Sequence, residues 1–183
     1  MNRSFNKNLI REFLEEKYMQ YAIPKFTEDD PILFPHHFSR KEDIEVVGLI
    51  TATISWGNRK MIINSMNRLL ERMGESPYEF VINFTQKDEY RLKGFVHRTF
   101  NDTDCTQYIK VLKHIYSKRG GLENLFTVGY LAEGSIKGAI TLFRSSFEEV
   151  GTPAHTLKHV PNVTRGSACK RINMFIRAIK VAY

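Results

Sequence analysis

Residues 39–73 read SRKEDIEVVGLITATISWGNRKMIINSMNRLLERM. Ser39, followed three residues later by Glu42, is a capping-box signature for a helix start. Ile44, Val47, Leu49, Ile50 and Ile54 then make an apolar run broad enough for a buried helix. Trp56-Gly57-Asn58 interrupts that run. Ile62, Met66, Leu69, Leu70 and Met73 recur at helical spacing until Gly74, a residue that commonly ends a helix. Two helices joined by a tight turn are expected, the first more buried than the second. The plainest reading of this pair is the core of an all-α protein.

The flanking sequence keeps the same character. Asn6 or Ser4 caps a first helix whose apolar face is Leu9, Ile10, Phe13, Leu14, Tyr18 and Tyr21. That face is expected to pack on the core, and Pro24 is expected to end the helix. Residues 22–38 read as irregular, with Phe34 and Phe38 tucked inward. Asp29, Asp30, His36 and His37 are potential metal ligands there, but no spaced Cys/His pattern supports them. Ser76-Pro77-Tyr78-Glu79 starts a short helix. Residues 94–100 form either a brief extended piece or a loop that buries Phe95 and Phe100; His97 and Arg98 there are weaker candidates for an anion contact.

Asn101 to Asp104 is capping chemistry for a helix that ends at Gly120-Gly121. Residues 122–126 suggest a short helix and 129–134 a loop. Ser135 precedes a further helix through Ile136, Ile140, Phe143 and Phe147, and Gly166-Ser167 opens a last one. No convincing strand, internal repeat or low-complexity tract is present. One helical domain over residues 1–183 is expected, its basic final helix at 166–183.

The formal net charge is +7, and no acidic residue follows Glu149. Lys158, Arg165, Lys170, Arg171, Arg177 and Lys180 all lie in that last stretch, while the first 149 residues are nearly balanced. A local basic zone is either a footprint for an anionic ligand, nucleic acid being the commonest, or a solvated face. The two cysteines, Cys105 and Cys169, lie far apart and fit reduced thiols that pack rather than react. The N-terminus has no signal-peptide core and no run reaches membrane-spanning length, so a cytoplasmic protein is expected. Nothing calls for a cofactor or a metal.

Residues 165–171, RGSACKR, are the most site-like stretch. Gly166 and Ser167 before an apolar helical pattern put free backbone donors at a helix start, which suits a phosphate. Ser167 either caps that helix or contacts the anion. Lys170 and Arg171 fall in the first turn, where positive charge opposes the helix dipole and an anion would relieve the conflict. The spacing of a nucleotide-hydrolase phosphate loop is absent. Arg59 and Lys60, after the Trp56-Gly57-Asn58 turn, are further candidates for backbone-phosphate contacts.

Residues 34–38, 43–48, 56–60, 76–80 and 166–177 together resemble an uncharacterised bacterial family known mainly from Bacteroidetes. That family is in turn similar to the helix-hairpin-helix DNA glycosylases. The resemblance implies a multi-helix orthogonal bundle of the helix-hairpin-helix glycosylase kind, C-terminally incomplete. It implies double-stranded DNA as partner and base-excision-repair-like binding. By the Gly-x-x-x-Lys pattern, Lys170 matches the lysine nucleophile, and Arg165, Gly166, Ser167 and Arg171 join Arg59 and Lys60 as phosphate contacts. Trp56 and Asn58 would line the base pocket. The Leu-Pro-Gly-Val-Gly hairpin is not present. Family members continue into a segment resembling Leu-Asp-Thr-His-Val, whose aspartate matches the catalytic acid and is missing here. Binding without catalysis is therefore expected, with Ile172, Phe175, Ile176 and Ile179 exposed and available for a homodimer. The competing readings are a helical structural or interaction module and an enzyme for a small phosphorylated substrate.

Overall fold

Residues Asp43 to Ile54 are buried without exception, and the other helices are arranged around them. They belong to a computed structural model that describes residues 6–21 and 30–182. In chain order the elements are α1 (Lys7–Tyr21), α2 (Leu33–His36), α3 (Lys41–Ile54), α4 (Arg59–Met73), α5 (Pro77–Asn83) and α6 (Glu89–Leu92). A two-stranded hairpin follows, β1 (Val96–His97) and β2 (Phe100–Asn101). The remainder is α7 (Asp102–Arg119), α8 (Leu122–Glu133), α9 (Ile136–Glu149), α10 (Ala154–Leu157) and α11 (Lys170–Ala182). The fold is an all-α multi-helix bundle with one short antiparallel hairpin.

The central pair forms as its pattern predicts, but its start differs. Arg40, not Ser39, precedes α3, and no side chain caps that end. Glu42 and Asp43 occupy the first turn and answer the helix dipole instead. Asp43 also accepts bonds from the Ser76 hydroxyl (3.1 Å) and the Tyr78 amide (2.8 Å), fixing the start of α5 against α3. Asn58 accepts from the Lys60 amide at 2.9 Å and so caps α4. Asn101 and Asp104 form a reciprocal box at the start of α7.

Four further expectations are corrected. The apolar face of α1 is not packed: Leu9, Phe13, Leu14 and Tyr18 are 63%, 56%, 59% and 65% exposed. The expected loop at 129–134 is the second half of α8, because Gly129 serves helix crossing rather than termination. A β-carbon on Gly129 would lie 2.7 Å from Ala139 Cα, and one on Gly138 would lie 2.5 Å from the Gly129 carbonyl oxygen. The expected absence of strands gives way to the hairpin, whose pairing places Val96 opposite Asn101. The last helix starts at Lys170, since Gly166 ends a 3-10 turn over Val163–Arg165 in the left-handed region.

The apolar side of α11 is also not free. Ile172 and Phe175 are 3% and 0% exposed, and Ile176 and Ile179 pack partly buried against the same core. Phe175 sits over Gly48 of α3, 3.5 Å from where a β-carbon there would be. Phe34 is buried and Phe38 half-buried, as expected. The expected helix stop at Pro24 and the candidate ligand Asp29 lie outside the described residues. Among the described residues, no helix is long and apolar enough to cross a membrane.

Candidate functional site

Four segments converge on a cleft of about 790 Å³: the α9 residue Arg144, the α10 helix, the turn after it, and the start of α11. Among the described residues, five cationic side chains line it, Arg144, Lys158, Arg165, Lys170 and Arg171, and no acidic residue does. Two of the five are fixed by the wall. Arg144 donates to the Val160 carbonyl (3.0 Å) and pairs with Glu148 (2.9 Å). Arg171 donates to the Thr53 carbonyl at 2.9 Å and lies 4.8 Å over the Trp56 ring. Lys158, Arg165 and Lys170 are exposed, and among the described residues none of them makes an ion pair.

The loop that presents these cations is held by hydrogen bonds within itself. Asn162 accepts from the Arg165 amide at 3.2 Å, and its carbonyl accepts from the Ser167 amide at 3.1 Å. Ser167 accepts from the Cys169 amide at 3.2 Å. Cys169 then adopts φ +52°, a left-handed conformation that costs a non-glycine residue about 1–2 kcal/mol. The first amides of α11, which follow that turn, have no acceptor within the helix. Cys169 itself is buried, as packing residues are, and so is Cys105, whose thiol burial pushes up to about 12. Neither cysteine is presented as a nucleophile.

A second cluster adjoins the cleft through Trp56. His159 stacks on that ring at 5.6 Å between centroids, and His97 meets it edge-on at 5.1 Å. His97 is buried between the Ser65 hydroxyl (2.9 Å) and the Trp56 carbonyl (3.3 Å). Burial holds its imidazole below the ordinary value, against the opposing bond to Trp56. The Trp56 carbonyl can only accept, so Nε2 carries the hydrogen that is donated to it. Asp104, fully buried, accepts from the Asn101 amide (3.0 Å) and the Thr156 hydroxyl (2.7 Å). His155 Nδ1 stands 2.9 Å from Asp104 Oδ1, and His159 Nε2 stands 3.7 Å from Oδ2. Burial alone would raise the Asp104 carboxyl, but the bonds from Asn101, Thr156 and His155 outweigh it and hold it below its ordinary value.

Of the residues singled out in the sequence, Arg165, Gly166, Ser167, Lys170 and Arg171 are brought to one surface. Trp56 joins them through the Arg171 guanidinium and is not part of the cleft lining. Asn58 is occupied as a helix cap, and Arg59 lies 3.6 Å from Asp30; Asn58, Arg59 and Lys60 are not part of the cleft lining. The sequence reading missed Arg144 and Asp104. The signal for the histidine cluster was His155-x-x-x-His159, a spacing that puts two rings on one side of a helical turn.

The fold and the cleft define a class: an all-α protein that presents a cationic concave surface at the start of its last helix. The chain belongs to the DUF2400 family, described as a protein of unknown function, whose model matches residues 30–179. No curated protein and no solved structure matches the chain. The family match corrects one set of terms drawn from the resemblance. Membership of a family of unknown function implies none of DNA-binding, DNA glycosylase-like, helix-hairpin-helix or DNA repair.

Proposed function

We propose that the protein binds a phosphate-bearing ligand in the cleft between α10 and α11. The observation that carries this reading is the lining: five cations, no carboxylate, and three of the cations without an ion-pair partner among the described residues. A concave surface of one sign concentrates counter-ions of the other sign, and its walls lower the local dielectric. Lys158, Arg165 and Lys170 supply the charge. Arg144 and Arg171 are braced by backbone carbonyls and hold the two walls in register. The α11 amides add donors that suit a phosphate oxygen. An anion here also relieves the conflict of Lys170 and Arg171 with the α11 dipole.

The test is isothermal titration calorimetry with pyrophosphate at low salt. Saturable binding is expected, and Lys170→Ala and Lys158→Ala are each expected to weaken it about tenfold or more, the size of a lost charge-assisted contact. Absence of heat, or affinity unchanged from the parent in both variants, contradicts the reading. A labelled nucleic-acid duplex competed with pyrophosphate separates a free polyphosphate from a polymer backbone as the natural source of the phosphate.

A protein-interaction module is the second reading, favoured by one observation. Helix α1 carries Leu9, Phe13, Leu14 and Tyr18 on one face, each more than half exposed. Such a stripe is the usual anchor of a helix docked on a partner. Sedimentation velocity over a range of concentrations, with Phe13→Asp alongside, tests it. Self-association that the variant abolishes supports the reading, and a monomer at every concentration opposes association between copies of the chain.

A further inference from the structure

The Asp104 carboxylate is 0% exposed, and among the described residues no lysine or arginine pairs with it. A buried carboxylate left to itself is expensive, and it is normally met by a cation or by several hydrogen bonds. Here its near neighbours include two imidazole nitrogens, and one of them, His159 Nε2, stops 3.7 Å short of Oδ2. That separation is too long for a hydrogen bond. One ligand atom from each of Asp104, His155 and His159 lies within 4.8 Å of the others. Donors on one tetrahedral ion with bonds of roughly 2.0–2.2 Å stand about 3.3–3.5 Å apart. His155 Nδ1 lies 2.9 Å from Oδ1 and His159 Nε2 3.7 Å from Oδ2, so the two rings approach different oxygens of one carboxylate, and small side-chain adjustments bring the three residues to that spacing.

We infer that Asp104, His155 and His159 form a binding site for a divalent transition-metal ion of the zinc class. Two imidazoles and one carboxylate suit zinc, cobalt or iron, and are a poor set for calcium or magnesium, which take oxygen donors. The groups behind the ligands are those that orient metal-binding side chains. The Thr156 hydroxyl and the Asn101 amide hold the carboxylate. Trp56 packs against the His159 ring. His155 is half exposed, so the outer side of the site faces water. Three protein ligands and a water-facing position make an open site rather than a closed structural one. The α10 turn sets the spacing: His155 and His159 are four apart, and the N-terminal turn of α7 supplies Asp104 beneath them. This inference does not depend on the anion cleft, and phosphate-free buffer keeps the two tests separate.

Trp56 is the only tryptophan in the chain, and it stacks on a proposed ligand, so it reports binding directly. The experiment is titration of the full chain with Co²⁺, read by quenching of Trp56 fluorescence and by visible absorption, followed by displacement with Zn²⁺. A single saturating site is expected. His155→Gln and His159→Gln are each expected to weaken it at least tenfold while the circular dichroism spectrum is unchanged. Asp104→Asn also disturbs the cap of α7, so the two histidine variants decide the matter. His36→Gln is the control and should bind as the parent does. No saturable binding, binding that survives both histidine variants, or binding lost in His36→Gln overturns the assignment.

Discussion

Glu45 is a charged residue type in the second turn of α3, 1% exposed, with the Tyr116 hydroxyl donating to its Oε2 at 2.7 Å. Burial holds its carboxyl above the ordinary value; the Tyr116 bond and the Lys41 charge oppose this. A raised value means that the folded chain keeps the proton across a window in which the unfolded chain has lost it. The group's favourable contribution is therefore complete below the ordinary carboxylate value and is lost as pH rises through the raised one. Glu45→Gln imitates the protonated acid. It is predicted to melt at least as high as the parent at neutral pH, with the difference shrinking on acidification. Melting curves from pH 4 to 8 check this, and a difference constant across the range contradicts it. At this scale the sequence hid the chemistry: Glu45 looks like an ordinary polar position until Tyr116, 71 residues away, closes over it. Ser76, Asn101 and Ser135 were legible for the opposite reason. Each bonds to an amide within three residues of itself, so local sequence contains the whole interaction.

Helices α8 and α9 show how an element is misread. Gly129 and Gly134 bracket a stretch that resembles a loop, yet only Gly134 ends the helix, in the left-handed region. Gly129 is in the middle because α9 crosses there at a distance that leaves no space for a β-carbon. Gly129→Ala and Gly138→Ala are each predicted to destabilise the fold by about 1–3 kcal/mol, the usual range for overpacking, despite the better helix propensity of alanine. Urea denaturation measures this. A stabilising Gly129→Ala shows instead that the helices separate without cost. The α11 start was shifted for a related reason. Gly166 and Ser167 carry the right residue types for a helix opening, but they are spent on the Asn162 turn and on Cys169. The cluster of cations at that end was legible as charge. Its concavity was not, because Arg144 and the α10 turn that complete the wall come from elsewhere in the chain.

Over the whole molecule, the cleft is coupled to the core through α11. Phe175 is fully buried against α3, and Arg171, four residues earlier, bonds the Thr53 carbonyl near the end of that helix. Phe175→Ala is predicted to cost about 3–5 kcal/mol in chemical denaturation, as loss of a buried aromatic ring does. A cost below about 1 kcal/mol would show that α11 is not part of the cooperative core. The all-α class was readable from helical spacing alone. The arrangement of helices was not, because the contacts that set it join residues as distant as Thr53 and Arg171. The central claim is that the basic surface so assembled is an anion site. The affinity for pyrophosphate should be measured by calorimetry in parent and Lys170→Ala proteins, from about 50 mM to about 300 mM salt, where screening shortens to well under 10 Å. The account predicts affinity that falls steadily with salt in the parent and a weaker, flatter dependence in Lys170→Ala. No binding at the lowest salt, or curves that superimpose for the two proteins, contradicts it.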